Sequence, residues 1–265
     1  MMSMLICIVI GSQILGERLY SQVDKATDND RKQKQEDNNI VQKSDAEEIK
    51  KNVEQEEGTE ETSGTAKKDN ENNKKNKDGV LIVLDSGHGG KDPGKIGVNN
   101  ALEKEVNLKI ANKVKSYLKK QGYTVIMTRE SDAGLADSKV EDLKARVALI
   151  NEKKPVIAVS IHQNSYSEES IHGAQVFYYT HSKNGEKAAK ILQEAMLAVD
   201  SDNTRQAKEN DTYYLLKKTQ IPTVIVECGF LSNQKEAGLL VTEEYQEKMA
   251  QAVAKGIEEY ILSGE

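Results

Sequence analysis

The sequence predicts an α/β fold: a single domain on a mostly parallel sheet of about six strands, flanked by helices on both faces and preceded by a disordered linker. Three observations predict it. From residue 79 onward, short apolar runs alternate with stretches whose apolar residues recur at helical spacing. The apolar runs read as near-continuous Val, Ile and Leu rather than alternating, as in strands buried on both faces. No internal repeat interrupts the alternation, and strands alternating with helices favour parallel pairing with helical cover.

The elements follow in order. Val80–Asp85 (VLIVLD) is a buried strand running into a Gly-rich loop. Glu103–Gln121 carries Val106, Ile110, Val114 and Leu118 on one helical stripe, and Gly122 ends it. Thr124–Thr128 is a strand, Glu141–Asn151 a helix, and Pro155–His162 (PVIAVSIH) another buried strand. Ala174–Thr180 reads as strand, Gly185–Val199 as helix, Tyr213–Leu216 as a short strand and Thr223–Glu227 (TVIVE) as strand. Asn233 with Glu236 fits the start of a short helix, and Thr242–Leu262 is a long final helix with acidic residues in its first turn.

The rest of the chain is different material. Residues 21–78 hold no aromatic residue and scatter few apolar ones among Lys, Glu, Asp, Asn and Gln. Such a segment cannot bury enough apolar surface to offset its chain entropy, so it is expected to be a disordered, charged linker. As a flexible coil it would span roughly 40 Å. Residues 1–20 open with MMSMLICIVIGSQIL, too short for a full span of roughly 20 apolar residues and closer to a signal-peptide core. It lacks a basic flank and an Ala-x-Ala site, which leaves an uncleaved membrane anchor or a cleaved signal, and either places the domain outside the cytoplasm. Bulky Ile6 before Cys7 is wrong for a lipoprotein cleavage site.

Composition narrows the function. Net charge is −6 with no basic run, which argues against nucleic acid as partner. Two cysteines, Cys7 and Cys228, give no disulfide framework. Gly89–Lys95 (GGKDPGK) superficially matches a phosphate-binding loop, but Ile96 offers no hydroxyl for Mg²⁺ and Pro93 removes a backbone N–H.

The chemistry lies at strand ends. His88 follows the first strand, His162 ends PVIAVSIH and Glu227 ends TVIVE. In open α/β sheets ligands bind beyond the carboxyl ends of strands, so these groups converge if their strands are parallel neighbours. Two His and one carboxylate with an open fourth position make a catalytic zinc site. The ligating carboxylate fits Glu103, at the start of the first helix. A second, non-ligating carboxylate must then carry the proton, and Glu227, after four apolar residues, fits that task. From position alone a purely structural role for these residues remains open.

Four segments carry a resemblance: LDSGHGGKDPGKIG (Leu84–Gly97), EKEVNL (Glu103–Leu108), SIHQNS (Ser160–Ser165) and VECGFLSN (Val226–Asn233). In this order and spacing, residues Leu81 to Tyr260 closely resemble the zinc-dependent N-acetylmuramoyl-L-alanine amidases of bacterial cell walls. The resemblance implies a twisted sheet, one zinc ion held by His88, Glu103 and His162, Glu227 as catalytic glutamate, and peptidoglycan as substrate. It implies hydrolysis of the amide between N-acetylmuramic acid and L-Ala. The segments Asn203–Lys208 and Thr212–Asn233 look closest to the germination-specific branch, which prepares muramic-δ-lactam in spore cortex; a vegetative wall amidase, or an inactive wall-binding relative, are the alternatives. Ser86 departs from the family's pattern, which commonly has Pro there, and leaves the His in place.

Several residues admit two readings. Arg205 and Asn164 are expected to contact substrate, Arg205 through a bidentate carboxylate pair, or to be ordinary loop residues. Asp85 would orient His88 or simply close its strand. Cys228, adjoining Glu227, reads as a buried filler on the opposite strand face rather than a nucleophile. His172 and His181 read as solvent-facing loop residues. An accessory protein and the oligomeric state are not readable from the sequence.

Overall fold

The structure, a computed structural model, describes residue 77 and residues 79–264. The expected anchor or signal (1–20) and, apart from Lys77, the expected linker (21–78) lie outside the described residues. Strands β1 (Leu81–Ser86), β2 (Thr124–Met127), β3 (Ile157–Asn164), β4 (Gln175–Tyr179), β5 (Lys208–Asn210) and β6 (Thr223–Phe230) form one sheet in the order β2-β1-β3-β6-β4-β5. Pairings β1–β2, β1–β3, β3–β6 and β4–β5 are parallel, and only β4–β6 is antiparallel. The helices are α1 (Glu103–Lys120), α2 (Lys139–Lys153), α3 (Lys183–Leu197), α4 (Tyr214–Lys218), α5 (Gln234–Leu240) and α6 (Glu243–Leu262).

Strand alternation divides the core between two faces. Ile82, Leu84, Val159, Ile161, Val224 and Val226 pack with Ile110 and Val114 of α1, Leu192 and Met196 of α3, and Val253 and Ile257 of α6. On the other face Val83, Ala158 and Ile225 meet Val147 and Ile150 of α2 and Leu215 and Leu216 of α4. The predicted mostly parallel sheet with helices on both faces is therefore what forms.

One element differs from the expected one and one is additional. Tyr213–Leu216 was expected as strand, but residues Tyr214–Lys218 are helical. Leu215 and Leu216 reach the core from a helix, and a four-residue apolar run has no periodicity to tell the two apart. The strand that completes the sheet is β5, the polar Lys208–Asn210, paired with β4 at the edge.

Helix starts follow their chemistry. Ser138, Ser182, Asn233 and Thr242 each accept a backbone N–H three residues on. Helix α1 differs: Leu102 offers no side-chain cap, and Glu103 and Glu105 occupy its positive first turn.

The chain passes from β1 to β2 on one side and then to β3 on the other. The order therefore reverses between β1 and β3, where ligands bind in open sheets. The register places Ser86 opposite Ile161 and His162 opposite Glu227. Beyond that pair the ladder slips by one residue, to Asn164 opposite Phe230, a bulge of the sort that re-aims side chains beside sites.

Candidate active site

His88 stands just past β1, at the switch point. The amide of Gly87 donates to the Ile161 carbonyl, and the next residue, His88, turns into the left-handed region at φ 60°. For a residue with a β-carbon that conformation costs about 1–3 kcal/mol and persists only where its surroundings over-determine it. The imidazole is held at both nitrogens, with Nδ1 2.8 Å from Asp92 Oδ2 and Nε2 3.1 Å from Glu103 Oε2. Burial works against its protonation, but the two carboxylates outweigh it and lift His88 to about 10.

Glu103 is the hub. Its side chain is 5% exposed, and the first turn of α1 favours its charge. Oε1 lies 3.0 Å from His162 Nδ1 and accepts the Gln163 amide at 3.1 Å; Oε2 accepts the Lys95 amide at 2.7 Å. Burial opposes ionisation, yet these imidazoles hold the carboxyl well below its usual range. One helical turn on, Asn107 contacts Glu103 Oε1 at 3.4 Å and donates to the Gly87 carbonyl.

Two glycines make room for this cluster. A β-carbon at Gly87 would fall 2.2 Å from His162 Cε1, so the backbone lies flat against that ring. At Gly94, with φ +66°, it would lie 2.6 Å from both Glu103 Oε2 and His88 Cδ2. Only glycine allows the loop so close, and the same position needs the left-handed region.

One ligand-type atom from each of His88, Glu103 and His162 lies within 4.8 Å of the others. This is a candidate metal site: two nitrogens and one carboxylate oxygen, a donor set matching a catalytic zinc centre with one open position. The residues fit the ion the sequence suggested.

Glu227 is not in that trio. It sits on β6 between His162 of β3 and Gln175 of β4. It is buried, its Oε2 lacks any hydrogen-bond partner among the described residues, and burial, with Glu103 adding repulsion, raises its pKa to about 8. Cys228 points to the opposite face, into the core beside Val226 and Leu231. Burial pushes its thiol well above the ordinary range, so it is an inert filler rather than a nucleophile.

Asp85, which the sequence left between two roles, does not touch His88. Its carboxylate accepts from Thr128 Oγ1, Ser160 Oγ and Arg146 Nη1. Burial would raise its pKa, but Arg146 and the two hydroxyls bring it to about 2. Asp92 is the residue that orients His88, and Lys139 at the start of α2 pairs with Asp92 at 3.0 Å. Its signal was present in the sequence: a carboxylate four residues after the His inside a glycine loop.

Asn164 ends β3, where its Oδ1 accepts the Ser165 amide. Arg205 lies 4.7 Å over the Phe230 ring, with Nε donating to the His172 carbonyl and Nη1 to Gln175 Oε1. Asn164 and Phe230 are register partners, so both predicted contact residues stand beside the His162–Glu227 pair. Tyr213, at the head of α4, packs edge-on against Phe177; burial, with Glu227 and Glu103 nearby, raises its hydroxyl to about 12. His172 and His181 are exposed, as expected. A separate groove lined by Tyr179, His181, Lys183 and Pro222 adjoins the start of β6 and shares no residue with the metal cluster.

Known proteins share this arrangement of sequence and fold. The profile of the N-acetylmuramoyl-L-alanine amidase family matches residues 82–259. The chain is 43% identical over 190 residues to the germination-specific N-acetylmuramoyl-L-alanine amidase of Bacillus subtilis, covering 69% of this chain and 80% of that one. Among solved structures it is similar to the CwlD amidase of Clostridioides difficile, solved in complex with the GerS lipoprotein, at 39% identity and TM-score 0.67 over 69% of this chain and 99% of that one. It is also similar to the catalytic domain of CwlV, an N-acetylmuramoyl-L-alanine amidase from Bacillus (Paenibacillus) polymyxa var. colistinus, at 32% identity and TM-score 0.63 over 68% and 97%. The chain thus belongs to the N-acetylmuramoyl-L-alanine amidase family and shares its action on peptidoglycan.

Proposed function

We propose that this amidase is a zinc enzyme, with the ion held by His88, Glu103 and His162 and with Glu227 as the proton carrier. The observation that carries the reading is the convergence of three ligand atoms within 4.8 Å, beside a buried carboxylate with an unpartnered oxygen. A bound zinc ion would polarise the scissile carbonyl and make a water acidic near neutral pH.

The chain's own groups supply the rest. Asp92 takes the Nδ1 proton of His88 in a hydrogen bond and leaves Nε2 for the cluster. Glu103 is pinned by the amides of Lys95 and Gln163 and cannot swing away. Glu227, with its pKa raised to about 8, is matched to accept a proton from the attacking water and hand it to the departing L-Ala nitrogen. Arg205 and Asn164 border this pair, and the guanidinium edge of Arg205 suits a substrate carboxylate.

The physiological role we propose is removal of stem peptides from spore cortex on the way to muramic-δ-lactam, by analogy with the germination-specific relative. The C. difficile relative was solved with a lipoprotein, which supports an accessory partner here. Residues 1–20 would export or anchor the domain outside the cytoplasm; among the described residues no helix is long and apolar enough to cross a membrane.

The test is digestion of purified peptidoglycan with and without chelator, followed by mass analysis. Intact stem peptides bearing a free L-Ala amine, and their loss with chelator, are expected. Released disaccharides or shortened peptides would refute the bond assignment, and chelator-resistant release would refute the zinc. An inactive wall-binding module would release nothing. Loss of muramic-δ-lactam from the cortex of a deletion strain separates the cortex role from one in the vegetative wall.

A further inference from the structure

Behind His88 lie two buried arginines that neither the motifs nor the proton-transfer chemistry uses. Arg146, on α2, is 2% exposed and Arg129, just past β2, is 5% exposed. Both turn their guanidinium groups on the backbone of residues 86–88. The Ser86 carbonyl accepts from Arg129 Nε and from Arg146 Nη1, each at 2.8 Å. The Gly87 carbonyl accepts from Arg129 Nη2 at 2.9 Å and from Asn107 Nδ2 at 3.1 Å. The His88 carbonyl accepts from Arg146 Nη2 at 2.7 Å. Three consecutive carbonyls thus receive five side-chain donors, in a loop that leads into a non-glycine residue at φ 60°.

We infer that Arg146 and Arg129 are positioning residues for the metal cluster, holding the loop so that His88 keeps its left-handed backbone and its Nε2 faces Glu103. This rests on the reading of His88 as a zinc ligand. The guanidinium fork explains the residue type, since one planar group can reach two or three acceptors at fixed angles and an ammonium cannot. Arg129 reaches further: the Nη2 that holds Gly87 also donates to the Lys104 carbonyl at 2.7 Å. One guanidinium therefore ties the residue before His88 to the residue after Glu103. Arg146 has its charge offset by Asp85 and Asp142. A left-handed backbone survives only when neighbours over-determine it, and these donors are the neighbours.

The test uses the full-length chain. Zinc affinity is measured by chelator competition, and the cobalt-substituted protein is examined by its visible absorption bands, with circular dichroism to establish folding. Arg146→Lys and Arg129→Lys keep the charge and lose the fork; each is expected to weaken zinc binding about tenfold or more and to shift the cobalt bands. Ser160→Ala disturbs the same buried network through Asp85 without touching a loop carbonyl, and is expected to keep the wild-type affinity and bands. If Arg146→Lys does not fold, Arg129→Lys decides alone. Wild-type affinity in the folded Lys variants, collapse of both, or an equal loss in Ser160→Ala would overturn the inference by making the arginines purely stabilising. Failure of the wild-type chain to bind zinc would instead overturn the metal reading, and the inference with it.

Discussion

Asp92 reaches back four residues to place its carboxylate 2.8 Å from the Nδ1 of His88. The bond fixes the ring's orientation and, once Nε2 gives up its proton to a metal, keeps the remaining proton on Nδ1. Groups that orient a ligating His typically contribute 10–100-fold to metal affinity. Asp92→Ala is therefore expected to weaken zinc binding by that factor, read by chelator competition, with circular dichroism unchanged. Equal affinity in the variant would show that Glu103 and the loop backbone hold the ring without it.

Metal and proton compete for His88. Its pKa of about 10 in the metal-free protein lies above the ordinary 6.5, so near pH 7.5 the ring is protonated and zinc must displace that proton. Calorimetry in two buffers of different ionisation heat is expected to show at least one proton released per zinc. Apparent affinity should rise about tenfold per pH unit between 7 and 9. A release of zero would mean that His88 is already neutral before zinc arrives, and that the two carboxylates do not hold a proton on it.

Glu227→Gln should separate binding from turnover. Zinc affinity is expected to stay within a few-fold, while hydrolysis falls by about 10²–10⁴, the usual range for a general acid–base group. Stability gives a second readout. The folded pKa of about 8 exceeds the ordinary carboxyl value of 4.5, so Glu227's contribution is intact below about 4.5 and is lost as pH rises towards 8. The metal-free Gln variant should thus gain on wild type across that window, by at most about 1.4 kcal/mol per pH unit, seen as a growing difference in melting temperature. Unchanged hydrolysis would remove Glu227 from the mechanism.

Gly94→Ala places a methyl 2.6 Å from Glu103 Oε2 and His88 Cδ2 in a backbone region that favours glycine. Crowding of this kind costs about 1–3 kcal/mol, and the loop can relieve it only by moving the two ligands apart. Zinc affinity is expected to fall at least tenfold while α3 and α6, remote from the loop, keep the helical signal. A crystal structure of the variant with the ligands unmoved would contradict this.

Cys228→Ser tests the rival chemistry directly. The thiol is buried on the core face, so the variant is expected to lose about 1–3 kcal/mol of stability from a buried hydroxyl. Its hydrolysis per folded molecule should match wild type and remain chelator-sensitive. Loss of activity at full folding would revive the cysteine mechanism.

The fold was legible where burial writes itself into composition. VLIVLD, PVIAVSIH and TVIVE are strands buried on both faces, and their apolar runs admit few other readings. What could not be read were the elements whose identity is settled by neighbours. Lys208–Asn210 is polar and becomes a strand only because β4 offers it an edge. Tyr213–Leu216 has an apolar run too short to carry a period. His88, His162 and Glu227 were visible because each stands at a strand end, whereas Glu103, at the start of α1, was marked as a ligand by the motif resemblance. Arg129 and Arg146 were not, because their partners are backbone carbonyls distant in sequence, and a carbonyl has no letter in the sequence. An Arg on the apolar stripe of α2, beside Val147 and Ile150, was the only hint.

The trio comes from two places in the chain: His88 and Glu103 lie close in sequence, in the loop after β1 and the first turn of α1, and His162 follows 59 residues after Glu103, near the end of β3. Residues 88–103 bring two of the trio together through their own loop contacts, Lys95 with Glu103 and Pro93 with Lys104, and the third arrives only with β3. The complete centre therefore needs β3 beside β1 and α1 docked across both. If the trio holds zinc as proposed, the full set of three donors is offered to the ion only once that pairing has formed. On that reading hydrolytic competence is a report on one strand pairing, β1 with β3, and any change that opens that seam would silence the enzyme without touching a ligand.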